Sequence, residues 1–306
     1  MESLIFALLN GVVYGLLLFM VSAGLTLVFG MMGVLNFAHA SFYMLGAYFA
    51  YTLQGLFGFG AAVVLATLLA GLTGAAVERF VLRRVHRHGH AHELLLTFGL
   101  SFIIAETIKL FFGNFPVNYR VPAALDFAAF SIGSQQYPVY RVLMGTVALA
   151  MFGLIYALMT RTRVGIIVRA AVYRPRMAEA LGHNVQRVFM GVFGVGAALA
   201  GLAGAIAGAF YTTSPNMALE LGVMVFVVVV VGGLGSLGGA MLASLLIGLV
   251  TSFAVGIDRS LADLLALAGA REWAEGVGGL LTLKVSSLAA TIPFALMLLI
   301  LLWRKE

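Results

Sequence analysis

Apolar runs of membrane-crossing length recur along this chain from end to end, and that recurrence constrains its fold more than any single motif. A helix needs about 20 residues to cross a hydrocarbon core of roughly 30 Å. Hydropathy places spans near residues 4–30, 35–54, 60–77, 94–112, 140–158, 188–211 and 287–303. Residues 219–256 are also apolar, but Gly232, Gly233, Gly235, Gly238 and Gly239 interrupt them. Two pieces of roughly 13 and 17 residues remain, each marginal for a full crossing. They predict a tight hairpin or a re-entrant pair. The expected fold is an all-α polytopic bundle of about 8–10 membrane segments, a single transmembrane domain over 1–306.

Composition agrees: 62% of residues are hydrophobic, 10% are charged, and the mean hydropathy is +1.07. A soluble domain carries about 25% charged residues, so a soluble enzyme is excluded. No clustered catalytic constellation marks a membrane enzyme either. The first run starts almost at Met1 behind Glu2, without a basic leader or a small-residue cleavage site, and is expected to be retained. The absence of cysteine excludes disulfides and thiolate metal sites.

Orientation follows from the positions of arginine and lysine. Residues 1–77 contain neither. Arg79, Arg83, Arg84 and Arg87 follow the third span, Arg161, Arg163, Arg169, Arg174, Arg176 and Arg187 follow the fifth, and Arg304 and Lys305 end the chain. The positive-inside rule makes these segments cytoplasmic, with the amino terminus outside and the carboxyl terminus inside. Residues 113–139 and 258–286 then become outer loops, and 159–187 a cytoplasmic loop. Pro116, Pro122, Gly133 and Pro138 make the first outer loop either a docking surface or an ordered lid.

Inside these apolar stretches, polar residues need a reason, because an unsatisfied polar group in hydrocarbon costs on the order of a few kcal/mol. Asn36 and His39 sit at a joint flanked by Gly30 and Gly33. Asn36 either caps the following helix or lines a pathway. His39 is either a hydrogen-bonded structural histidine or a pathway residue. Glu106 and Lys109, three apart on one helix, either neutralise each other or serve substrate or gating. His86, His88, His90 and His92 alternate in a basic loop, where a solvated face outweighs metal binding. A shift of 202 residues superposes Gly30, Gly33, Leu35, Ala38 and Gly46 on Gly232, Gly235, Leu237, Ala240 and Gly248, a hint of duplication in a composition where glycine and leucine also coincide by chance.

In the fifth connection, Pro175 stands where a helix starts and Gly182 where one stops. Met177, Ala178 and Leu181 fall on one face of the short helix between them. This predicts an apolar knob on a basic loop, seated on anionic lipid or docked to a cytoplasmic partner.

The segments Gly24–Leu27, Asn36–His39, Tyr43–Tyr48, Leu95–Gly113 and Arg169–Gly204 resemble the permease subunits of branched-chain amino-acid ABC transporters, specifically the LivH-like subunit. Ala40 stands where the family commonly has glycine, and Tyr173 with Arg174 where it often has an acidic pair. The resemblance implies half of an importer's translocation pathway in a bacterial cytoplasmic (inner) membrane. It further implies a second, LivM-like permease, two ATPase subunits and a periplasmic solute-binding protein, with membrane lipid around them and no nucleic acid. Arg169, Pro175, Met177, Ala178, Glu179, Leu181 and Gly182 would then form the coupling element, with Asn36, His39 and Glu106 in the pathway and Gly30, Gly33, Gly232, Gly233, Gly235, Gly238 and Gly239 as hinges. ATP and magnesium would belong to the partners, this chain holding no cofactor and no metal. From the residues alone, a P-loop needs a Gly-Lys pair, and Lys109, Lys284 and Lys305 each lack the glycine. A self-sufficient carrier driven by an ion gradient, with Glu106 and His39 titrating, is the alternative.

Overall fold

In hydrocarbon every backbone N–H and C=O must find its partner within the protein, so long apolar sequence becomes helix. The computed structural model describes residues 2–33, 35–85, 88–133, 135–257, 260 and 284–303. Among them, six helices are long and apolar enough to cross a membrane. These are α1 (Glu2–Met32), α3 (Phe59–Val77, prolonged by a π turn over Glu78–Leu82 and by α4, Arg83–Val85), α5 (His90–Phe112), α6 (Val139–Arg161), α9 (Val185–Phe210) and α11 (Leu237–Gly256). The helix α2 (His39–Phe57) is nearly as long but more polar, while α10 (Met217–Gly232) and α13 (Ile292–Trp303) are shorter apolar helices. Two further helices, α7 (Arg163–Tyr173) and α8 (Pro175–Ala180), lie in the basic fifth connection, and α12 (Val285–Leu288) precedes α13.

Small residues set the core. With lipid on all sides there is little hydrophobic drive between helices, and close backbone approach provides the packing. A Cβ on Gly46 of α2 would land on the main chain of Gly201 in α9, and one on Gly15 of α1 would meet Ser244 and Leu245 of α11. Through such contacts α9 touches α1, α2 and α3, and α1 runs along α11.

One end of the bundle gathers the arginines of the α3–α5 and α6–α9 connections and is called the basic end below. There, buried Glu78 pairs with Arg83 at 2.8 Å, and Arg83 also donates to the Gln186 carbonyl at 3.0 Å, tying the end of α3 to the start of α9. At the opposite end, the described residues of the 113–139 connection carry secondary structure. Its strands β1 (Ala128–Ile132) and β2 (Gln135–Pro138) pair antiparallel, an addition to the all-helical expectation. Val117 bridges Thr213, and the buried Tyr119 hydroxyl donates to the Ala205 carbonyl at 2.6 Å. Burial pushes the Tyr119 phenol above its ordinary pKa, keeping it a neutral donor.

Residues 219–256 form a hairpin. The turn between α10 and α11 uses positive φ at Gly233 (87°) and Gly235 (85°), a conformation that suits glycine. Most of the expected outer loop 258–286, together with His86, Arg87, Arg304 and Lys305, lies outside the described residues.

Candidate functional site: a half-depth cavity and a basic-end platform

The span expected over 35–54 begins late. Gly33 and residues 35–38 are not helical, and α2 starts only at His39. Three contacts fix how deep that start lies. His39 packs against Gly24 of α1, the Phe37 amide donates to Thr97 Oγ1 of α5 at 3.2 Å, and Ala40 faces Gly222 of α10. Each of those partners lies seven to ten residues from the basic end of its own helix. At 1.5 Å per residue, α2 therefore starts roughly 10–15 Å inside the bundle, near half the thickness of a bilayer core.

Asn36 and His39 both stabilise this interior start. Asn36 Oδ1 accepts from the Ala38 amide at 3.0 Å in a turn that precedes the helix; α2 itself has no side-chain cap. His39 Nε2 lies 3.0 Å from the Val21 carbonyl; a carbonyl only accepts, so Nε2 carries the proton. Both residues are buried. His39 thus holds a structural hydrogen bond, while the expected Asn36 cap on α2 is not formed.

They also line a cavity of about 220 Å³ between α1, the start of α2, α5 and α10. Its walls are chiefly apolar, with Leu25, Leu35, Phe98, Gly222, Val223 and Phe226 among them. Phe37 stacks on Phe226 at 5.9 Å and meets Phe98 edge-on at 6.3 Å near its partly exposed rim. Two buried polar groups in this lining have no hydrogen-bond partner, Asn36 Nδ2 and Ser41 Oγ. Sequence reasoning missed Ser41, Thr97 and the α10 wall. Ser41 sits two residues after His39 in a visible polar cluster, but nothing local announces Gly222 or Val223.

Glu106 is not part of this cavity. It accepts from Lys109 Nζ at 2.7 Å, and its side chain is 67% exposed on the outward face of α5. The placement with Asn36 and His39 is therefore corrected: the two charges sit one helical turn apart and satisfy each other on the surface.

At the basic end, α8 starts at Pro175, and Gly182 closes the turn with φ of 85°. The predicted knob is only partly exposed. Met177 (58%) and Leu181 (76%) project, whereas Ala178 is buried against Ala171 and Val185. The correction has a cause the sequence hides: the amphipathic helix α7 precedes α8, capped by Thr162, and lays Ala171 beneath Ala178. Arg169 of α7 donates to the Met159 carbonyl at the end of α6. Glu179 completes the exposed outer surface of α8.

Of the glycines expected as hinges, Gly30 packs directly on Gly235, while Gly232 and Gly239 face each other across the α10–α11 turn. Gly33 has a φ of 65° at the end of α1, and Gly238 meets open space. Among the described residues, no group of three or more His, Cys, Asp or Glu gathers as a metal site.

A family model described as branched-chain amino acid transport system / permease component matches residues 7–301. The chain is 30% identical over 260 residues to the high-affinity branched-chain amino acid transport system permease protein LivH of Escherichia coli (strain K12), covering 78% of this chain and 82% of the relative. It is 29% identical to the BraD permease protein of Pseudomonas aeruginosa, over 80% of this chain and 84% of that one. It is 28% identical to a probable LivH of Methanocaldococcus jannaschii, over 79% and 78%. No solved structure matches. A multi-pass helical bundle fits that assignment, and the chain belongs to the family of branched-chain amino acid transport system permease components.

Proposed function

We propose that this chain is the membrane-spanning permease subunit of an ATP-driven, binding-protein-dependent importer of branched-chain or related amino acids. It would lie in a bacterial inner membrane with its amino terminus outside and its basic end in the cytoplasm. The observation that carries the reading is the α7–α8 platform. Met177 and Leu181 stand free on a short helix whose other face, at Ala178, is clamped to Ala171 and Val185. An apolar projection on a rigid, arginine-rich base suits docking of a cytoplasmic ATPase and transmission of its motion into α6 and α9. A second homologous permease would complete the pathway, two ATPase subunits would bind ATP and magnesium, and a periplasmic protein would deliver substrate. The gradient-driven alternative loses Glu106 as a pathway acid, since that carboxylate is paired on an outward surface.

Affinity purification of the tagged chain from its native membrane in mild detergent, followed by mass spectrometry, tests this. Recovery of a second permease and P-loop ATPases is expected. Recovery of the chain alone, still active, would overturn it.

A further inference from the structure

Another cavity, at the basic end, has no part in the importer reading. It encloses about 340 Å³ between the ends of α1 and α6, the helix α7 and the α10–α11 turn. Its charge is one-sided. Half-buried Arg169 commits Nη1 to the Met159 carbonyl, but a guanidinium carries five N–H donors. Among the described residues no carboxylate pairs with it, and no Asp or Glu lines the cavity. Thr160 turns its hydroxyl back onto the Tyr156 carbonyl at 2.7 Å, leaving the guanidinium as the cavity's strong donor.

The depth of the cavity is that of a membrane surface. Arg169 meets α6 at Met159, two residues from the basic end of that helix. The deepest lining, at Thr26 of α1 and Ile155 of α6, lies six residues from the basic end of each helix. That is about 9 Å at 1.5 Å per residue. The polar headgroup layer of a bilayer is roughly 5–8 Å thick on each side. A cavity with its cation at the helix ends and its walls running one to two turns deeper therefore crosses from headgroups into the outermost hydrocarbon. Tyr156 and Tyr173 stand exposed beside it, where aromatic side chains mark a membrane interface.

We infer that this cavity seats the headgroup phosphate of an anionic phospholipid from the leaflet at the basic end. The phosphate oxygens accept from the remaining N–H groups of Arg169, whose planar fork matches paired oxygens. The glycerol and first methylenes lie against Met31, Tyr156 and Val172, all partly or fully exposed. A soluble phosphate satisfies the arginine but leaves the apolar depth empty, which favours the lipid. A zwitterionic headgroup brings an ammonium that no acid in the cavity meets. The seated lipid bridges α6 and α7 and so braces the base of α8. This site goes beyond the importer reading and does not depend on it.

Native mass spectrometry of the full chain in detergent tests the site, with dioleoylphosphatidylglycerol, dioleoylphosphatidylcholine and glycerol 3-phosphate as probes. Phosphatidylglycerol is expected to fill one saturable site at least roughly fivefold more tightly than phosphatidylcholine, the scale of one basic side chain near an anionic surface. Glycerol 3-phosphate at equal concentration should not displace it. Arg169→Gln keeps a donor for the Met159 carbonyl but removes the charge, and should abolish the preference. Gly238→Asp serves should that variant fail to fold. Gly238 lines the cavity, a Cβ there meets open space, and an acid suits the first turn of α11, so the variant should fold and repel the phosphate. Arg176→Gln removes an exposed arginine outside the cavity lining and should keep the preference.

Equal binding of the two lipids, or a preference unchanged in folded Arg169→Gln or Gly238→Asp, would overturn the site. An equal loss with Arg176→Gln would replace it by diffuse attraction to the basic loop, and displacement by glycerol 3-phosphate would replace the lipid by a soluble phosphate. The assay contains no ATP and no partner chain, so its failure leaves the importer reading intact, and failure of that reading leaves the lipid result standing.

Discussion

His39 Nε2 donates to the Val21 carbonyl across 3.0 Å, pinning the first residue of α2 to the middle of α1, with Gly24 directly beneath the ring. That contact is one of those that hold the helix start inside the bundle. A Cβ at position 24 would meet the Gly196 carbonyl as well as the imidazole, so α1, α2 and α9 close on one point.

Removing the imidazole should therefore loosen three helices at once. His39→Ala is expected to destabilise by about 2–4 kcal/mol, combining a lost buried contact with a lost hydrogen bond. Gly24→Val is expected to cost at least as much through overpacking against backbone. Thermal unfolding in detergent measures both. A melting temperature within about 1 °C of wild type for either variant would show that the joint is not packed as described.

Glu78 and Arg83 form a lopsided pair, the carboxylate buried and the guanidinium partly exposed. Arg83→Ala leaves a buried charge behind and is expected to destabilise by about 3 kcal/mol. The double change Glu78→Gln with Arg83→Ala should recover much of that loss. A double-mutant cycle on unfolding reads the coupling, and additive effects would contradict the pairing.

Much of the architecture was legible in the sequence because hydropathy reports length. Pro175 and Gly182 bounded α8 correctly, and the glycines after Val231 marked a hairpin turn. Depth was not legible. Asn36 and His39 stood out as polar, yet nothing local says that α2 starts half-way through the bundle, because that follows from contacts with Gly24, Thr97 and Gly222, from 15 to more than 180 positions away in the chain. The burial of Ala178 is hidden for the same reason: α7 covers it, and arginines interrupt the apolar face of α7 in the sequence. The β1–β2 hairpin escaped because Pro and Gly dominated the reading of that connection.

Glu106 and Lys109 neutralise each other on the outward face of α5. Glu106→Gln alone strands the ammonium in a low-dielectric setting, so it should lower the yield of folded protein more than the double change Glu106→Gln with Lys109→Gln. Uptake per folded molecule should be preserved in the double variant. Abolished uptake there, with normal folding, would return Glu106 to the pathway.

On the platform, position within the knob decides the outcome. Leu181→Asp changes an exposed side chain and should leave the melting temperature near wild type while cutting ATPase recovery at least tenfold. Ala178→Asp places a charge against Ala171 and Val185 and should instead destabilise the α7–α8 region. Limited proteolysis of the 163–187 segment separates the two effects. Normal ATPase recovery with Leu181→Asp would remove α8 as the coupling element.

The most direct test of the whole account is leucine uptake into proteoliposomes that hold the purified complex, with the delivery protein outside. The account predicts uptake that requires ATP in the compartment facing the basic end, stops with vanadate and persists when ionophores collapse every ion gradient. Uptake driven by an ion gradient in the absence of ATP would contradict it.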